Sequence, residues 1–209
     1  MIDWNNVEQK IKHVTINYDF FRDNKEYAKE FLERYTRQFV REFTILAGKV
    51  SIHGKVDRQK EELEDPVFLL TTYLFTVENT FVQCVDQLIF FILIKTQSFI
   101  WDSFSNKFVN RYDELKHISL YMKVKFLEKY GFDFLDEIYD RKLRNSIAHS
   151  EFDISGNFID VNGKKYGIND IENLMMNIFK LKHIIIEKLG SDFLDYCYTL
   201  LEITPGPRG

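Results

Sequence analysis

Asp140-Arg141-Lys142-Leu143-Arg144-Asn145-Ser146-Ile147-Ala148-His149-Ser150 decides how this chain is read. The stretch has the composition of an amphipathic helix. It gathers two arginines, an amide and a histidine within fewer than three turns. Asn145 and His149 stand at i and i+4 and share a face. Arg144 and His149 are i and i+5, roughly 140° apart around the axis, within reach of a long guanidinium side chain. Leu143, Ile147 and Ala148 supply the opposite, apolar side.

Working outward, the neighbouring segments are helical too. Residues 133–150 carry the stretch on one helix, with Phe134, Leu135, Ile138, Leu143 and Ile147 inward. Before it, residues 111–130 read as an amphipathic helix with Leu115, Ile118, Leu120, Met122, Phe126 and Leu127 against Lys116, Lys123, Lys125 and Lys129. Gly131 closes that helix. Residues 98–110 read as an aromatic and polar connector. Residues 66–97 are the most apolar part of the chain and too long for a strand. Polar interruptions at Glu78, Asn79, Gln83, Asp86 and Gln87 argue against a membrane span and for a helix buried on most sides. Those five form either the exposed stripe of a surface helix or a polar face turned toward Arg141, Arg144 and His149.

After the stretch the pattern changes to alternation. Asn162-Gly163 is a tight-turn signal, so residues 151–167 read as a small β-hairpin. A helix then runs from Asn169 to about Gly190, and a short one spans 191–202. At the N-terminal side, residues 3–13 read as a short helix and Val14–Tyr18 as weakly extended. Residues 22–47 form a helix with Tyr27, Phe31, Tyr35, Phe39, Phe43 and Leu46 on one side. Its basic face, Lys25, Lys29, Arg34, Arg37 and Arg41, is a nucleic-acid track or a solvated face laced with ion pairs. Residues 48–65 are a charged loop containing His53, and the Pro- and Gly-rich end, Thr204–Gly209, is a flexible tail.

The fold class is mainly α, a helical bundle with a small β-hairpin after the central helix. The simplest organisation of 209 residues is one domain. Residues 1–65 form a helical extension and charged loop, 66–190 the core, and 191–209 a short helix and tail. Net charge of −4 excludes a generic polyanion binder, so any nucleic acid would be met by a local patch. Cys84 and Cys197 read as buried reduced thiols and not as a disulfide framework. No histidine pairs with a nearby Cys or His at zinc spacing, and no Gly-rich phosphate loop is present, so neither metal nor cofactor is expected. The polar, acidic N-terminus carries no leader signal, and a cytoplasmic location is expected.

The central stretch suits a phosphodiester. A histidine exchanges protons near neutral pH, and a guanidinium holds two phosphate oxygens as charge builds on them. On that logic His149 moves the proton, Arg144 clamps the phosphate and Asn145 orients. Arg141 is a second substrate contact or a plain surface residue. The bland alternatives are a histidine that only caps its helix and an Arg144 that only pairs with Asp140.

Arg144-Asn145-Ser146-Ile147-Ala148-His149 resembles the Arg-polar-x-x-x-His signature of the HEPN domains (higher eukaryotes and prokaryotes nucleotide-binding), many of them RNA-cleaving toxins or defence effectors. A second spacing match, Arg111 to His117, has Tyr112 where the polar residue belongs. The resemblance implies a HEPN-like bundle and a metal-independent endoribonuclease. It implies a homodimer in which two motif helices face one groove, with RNA as substrate and a toxin or antiviral-defence setting with a possible antitoxin or defence partner. Cleavage would leave a 2′,3′-cyclic phosphate. It also implies acidic or amide residues of an earlier helix near the motif, here Glu78 and Asp86. The alternative within the family is a catalytically silent module for nucleotide or RNA binding or for dimerisation.

Overall fold

The computed structural model describes residues 2–37, 40, 66–102, 106–156 and 158–203. The charged loop with His53, the helix beyond residue 37 (residue 40 excepted) and the tail from 204 lie outside these. The chain divides into two compact units.

The first unit comprises residues 1–38, 83–133 and 183–209. Helix α1 (Trp4–Lys12) starts on Asp3, whose carboxylate accepts from the N–H groups of Asn5 and Asn6. Helix α2 (Tyr18–Asp23) is capped by Asn17 and stops at Asn24, and α3 covers residues 25–37. The single helix expected from residue 22 is therefore broken at Asn24, whose side-chain amide donates to the Phe20 carbonyl. Helix α4 (Pro66–Phe75) and a π-helical turn (Thr76–Phe81) belong to the second unit, and α5 (Val82–Thr96) carries the chain on into the first. The run Pro66–Thr96 is long and apolar enough to cross a membrane, and 83% of its most apolar window is buried within the protein.

Residues 98–110 are not a connector. Strands β1 (Ile100–Asp102) and β2 (Lys107–Val109) pair antiparallel, with Ile100 opposite Val109 and Trp101 opposite Phe108. The expected helix 111–130 is split. Asp113–His117 is a 3₁₀ turn, Ser119 caps a new start, and α6 spans Leu120–Glu128. Gly131 ends it at φ +87°, with Phe132 N–H donating to the Leu127 carbonyl. Phe21, Phe31, Phe90, Phe91, Tyr112 and Phe193 form the centre of this unit, with Phe21 and Phe193 centroids 4.5 Å apart. Cys84 and Cys197 are both buried.

The second unit comprises residues 39–82 and 134–182. Helix α7 (Leu135–Ile138) ends at Tyr139, which is extended, and α8 (Arg141–Ala148) begins afresh on Asp140. Residues 133–150 are thus two helices rather than one. Ala148, expected inward, is exposed, while Leu143 and Ser146 are buried. The hairpin is a three-stranded meander, β3 (Asp153–Ser155), β4 (Phe158–Val161) and β5 (Lys164–Gly167). Asn162 and Gly163, at φ +53° and +83°, turn β4 into β5. Helix α9 (Ile168–Ile185) follows directly. A π turn (Ile186–Gly190) and α10 (Ser191–Leu200) return the chain to the first unit. The protein is mainly helical, with two small antiparallel sheets.

Candidate functional site

Helix α8 is short, eight residues, and its placement rests on its first residue. Asp140 Oδ1 accepts from the N–H groups of Lys142 and Leu143, which caps the helix. Its Oδ2 accepts from Lys164 Nζ at 2.8 Å and from the Tyr166 hydroxyl at 2.7 Å, both on β5. Tyr73, buried on α4, accepts the Asp140 N–H and donates to the Asp140 carbonyl. One residue therefore ties α8 to α4 and β5. Burial alone would raise the Asp140 carboxyl. The hydrogen bonds from Lys164, Tyr166 and Leu143 outweigh it and hold the group below the usual carboxylate range. Burial pushes the Tyr73 phenol well above its ordinary value, so it stays a hydroxyl.

Arg144 lies on the face of α8 that meets the π turn. Its Nε donates to Glu78 Oε1 at 2.6 Å, and its Nη2 also reaches that oxygen. Its Nη1 donates to Asn145 Oδ1 at 2.9 Å. A guanidinium has five N–H groups, so about two stay open. Asn145 accepts through its oxygen, and its NH₂ is the donor end of the same amide. The alternative pairing of Arg144 with Asp140 is not what forms, because Asp140 is engaged by its cap and by β5. Glu78 reaches Arg144 from a π-helical turn, which inserts an extra residue and re-aims the following side chains. Thr76 and Asn79 donate to the Thr72 and Phe75 carbonyls one turn back.

His149 closes α8. It sits at the C-cap, exposed, with φ −101° and ψ 3°. Its backbone N–H donates to the Asn145 carbonyl at 3.0 Å, and its imidazole makes no hydrogen bond or ion pair among the described residues. Ser150 follows in the left-handed region, φ +58°, and Glu151 N–H donates to the Ser146 carbonyl, completing a six-to-one helix stop. Arg141 is exposed on the first turn.

Glu78, Arg144 and Asn145 are thus brought together, with His149 one turn beyond Asn145 on the same helix. Asp86 is engaged elsewhere, in the first unit. It is fully buried, with Lys123 Nζ and Arg34 Nη2 each 2.6 Å from one of its oxygens. Burial pushes its carboxyl up, against the pull of those two cations. Gln83 and Gln87 are buried as well, so the polar residues of α5 form no exposed stripe. Lys123, expected on a solvated face, is the buried partner of Asp86. The second Arg-to-His match has no comparable setting: Arg111 pairs with Glu30 at 2.6 Å.

Sequence reasoning did not single out Tyr73, Lys164 or Tyr166, which hold Asp140. The one local signal was Asp140 itself, an N-cap residue immediately before a polar-apolar helix pattern. Among the described residues no three His, Cys, Asp or Glu side chains cluster as a metal site. No family model, curated protein or solved structure matches the chain.

Proposed function

We propose that this chain is a metal-independent endoribonuclease of HEPN type, acting as a homodimer on RNA in the cytoplasm as a toxin or defence effector. One observation carries the reading. Arg144 is braced by Glu78 and Asn145 with N–H groups to spare, on the same short helix whose end presents an exposed His149 with no partner among the described residues. A braced guanidinium is preorganised for a phosphate, which lowers the cost of ordering it during reaction.

In the proposed step the 2′-oxygen attacks phosphorus while one His149 removes its proton. The P–O5′ bond breaks, and the His149 of the second protomer protonates the leaving 5′-oxygen. Arg144 neutralises the charge on the non-bridging oxygens, and Asn145 donates its NH₂ to the same group. The products are a 2′,3′-cyclic phosphate and a 5′-hydroxyl, with no net change in protons.

The test compares wild type with His149→Ala on total RNA and tRNA in EDTA, with fragment ends mapped across about pH 6 to 8. The reading expects cyclic-phosphate ends from wild type alone. Equal cleavage by both proteins sinks it. No cleavage by either supports the second reading, a silent RNA-binding or dimerisation module. That reading is favoured by the Glu78 carboxylate already occupying one edge of Arg144.

A further inference from the structure

The β1–β2 hairpin of the first unit has apolar side chains on both faces. Alternation puts Ile100 and its partner Val109 inward, and both are buried. The other face carries Phe99, Trp101 and Phe108, which are 52%, 40% and 58% exposed. Their rings touch each other, with Phe99 and Phe108 centroids 4.1 Å apart and Trp101 and Phe108 4.7 Å apart. The inward pair already accounts for the hairpin's packing. The outward rings are left in water at a hydrophobic penalty that the fold does not explain.

A second wall faces them in the same unit. Met122, Lys125, Phe126, Lys129 and Tyr130 recur at helical spacing along α6 and its end. Phe126 and Tyr130 pack at a tilt, with centroids 5.0 Å apart. The two walls line a cavity of ≈ 580 Å³, the size range of small-ligand sites. Its described lining holds two lysines and no carboxylate. Lys125 is held by Glu128 at 2.6 Å, while the exposed Lys129 has no partner among the described residues.

We infer that this groove binds single-stranded nucleic acid, with unpaired bases between the Trp101–Phe108 and Phe126–Tyr130 rings and a backbone phosphate on Lys129. Every base has a π-face to stack, and a strand's phosphates demand cations at the rim. A purely apolar partner would leave Lys129 desolvated and unpaired. The inference does not depend on His149 being catalytic.

The test uses the full chain carrying His149→Ala, so that no strand is cut, and Trp4→Phe, so that Trp101 is the only indole. Indole emission and anisotropy of labelled strands are read with single-stranded RNA and single-stranded DNA between about 50 and 200 mM salt. Quenching of Trp101 by either strand is expected. Phe108→Ala should weaken binding by about 5- to 100-fold, and Trp101→Ala, followed by anisotropy alone, by a similar factor. Lys129→Ala, at an exposed position that cannot upset folding, should reduce the salt slope by about 0.7. Unchanged emission with both strands overturns the inference. So does binding that Phe108→Ala and Lys129→Ala leave intact, or binding seen only with duplex or with anionic vesicles.

Discussion

Glu78 and Arg144, 66 residues apart in sequence, share one ion pair in which a single carboxylate oxygen receives both Nε and Nη2 of the guanidinium. The arginine is thereby fixed by one edge while part of its other edge remains open. This distinguishes a braced cation from a merely exposed one.

The brace predicts a graded loss of activity. If Arg144 holds phosphate, Glu78→Ala lets the guanidinium wander by about an ångström and lowers kcat about 100-fold. Glu78→Gln keeps the Oε1 acceptor and should retain more activity. The pair is half-exposed, so stability should change by no more than about 1 kcal/mol. Steady-state kinetics beside a thermal melt separate the two effects. A fall in stability that matches the fall in rate would reduce Glu78 to a structural role.

Asp140 predicts a pH dependence. Its folded-state pKa lies below the unfolded one, so the unfolded chain binds more protons in the acid range and stability rises with pH there. The contribution is complete above the unfolded value of about 4 and is lost as pH falls through the lower folded value. Asp140→Asn preserves an N-cap side chain but removes the charge that holds Lys164. It should cost about 1 kcal/mol at neutral pH, with the gap from wild type closing below about pH 4. Urea unfolding at several pH values checks this; a gap that widens in acid contradicts the sign.

The buried triad of Asp86, Arg34 and Lys123 predicts an asymmetry. Asp86→Asn leaves two cations facing each other without a counter-charge and should cost about 3–5 kcal/mol. Lys123→Met keeps the Arg34–Asp86 pair and fills the volume with an apolar chain. It should be close to neutral or stabilising. Chemical denaturation of both variants decides, and equal losses would mean that the triad acts as one indivisible unit.

Burial pushes the Cys197 thiol up to about 12. Thiolate is the reactive form, so the native protein should resist a thiol reagent at mildly alkaline pH and react fully once unfolded. The buried Cys84 should behave likewise. Labelling counted by mass spectrometry with and without denaturant tests this.

What could be read from the sequence follows from which forces are local. The helical spacing of Leu174, Ile178, Leu181 and Ile185 and the Asn162-Gly163 turn are short-range, and both appear in the structure. The break before α8 was readable in principle, because Asp140 is an N-cap residue, but apolar periodicity carries smoothly across Tyr139 and conceals it. The β1–β2 hairpin lacked the alternation that marks a strand, since Phe99-Ile100-Trp101 is apolar on both faces. Glu78 and Asp86 looked equivalent on one helix. The π turn and the burial of Asp86 against Lys123 separate them, and both depend on partners far along the chain.

The helix stop at Ser150 leaves His149 at the far end of a lever whose fulcrum is Asp140. Eight residues make an arm of about 12 Å, and Leu143 and Ser146 are buried partway along it. A tilt of about 5° at the fulcrum moves the tip by about 1 Å. Proton transfer tolerates little more than that. Lys164 and Tyr166 therefore bear on His149 only through Asp140, and a change at that end would be felt at the imidazole as displacement rather than as a lost contact.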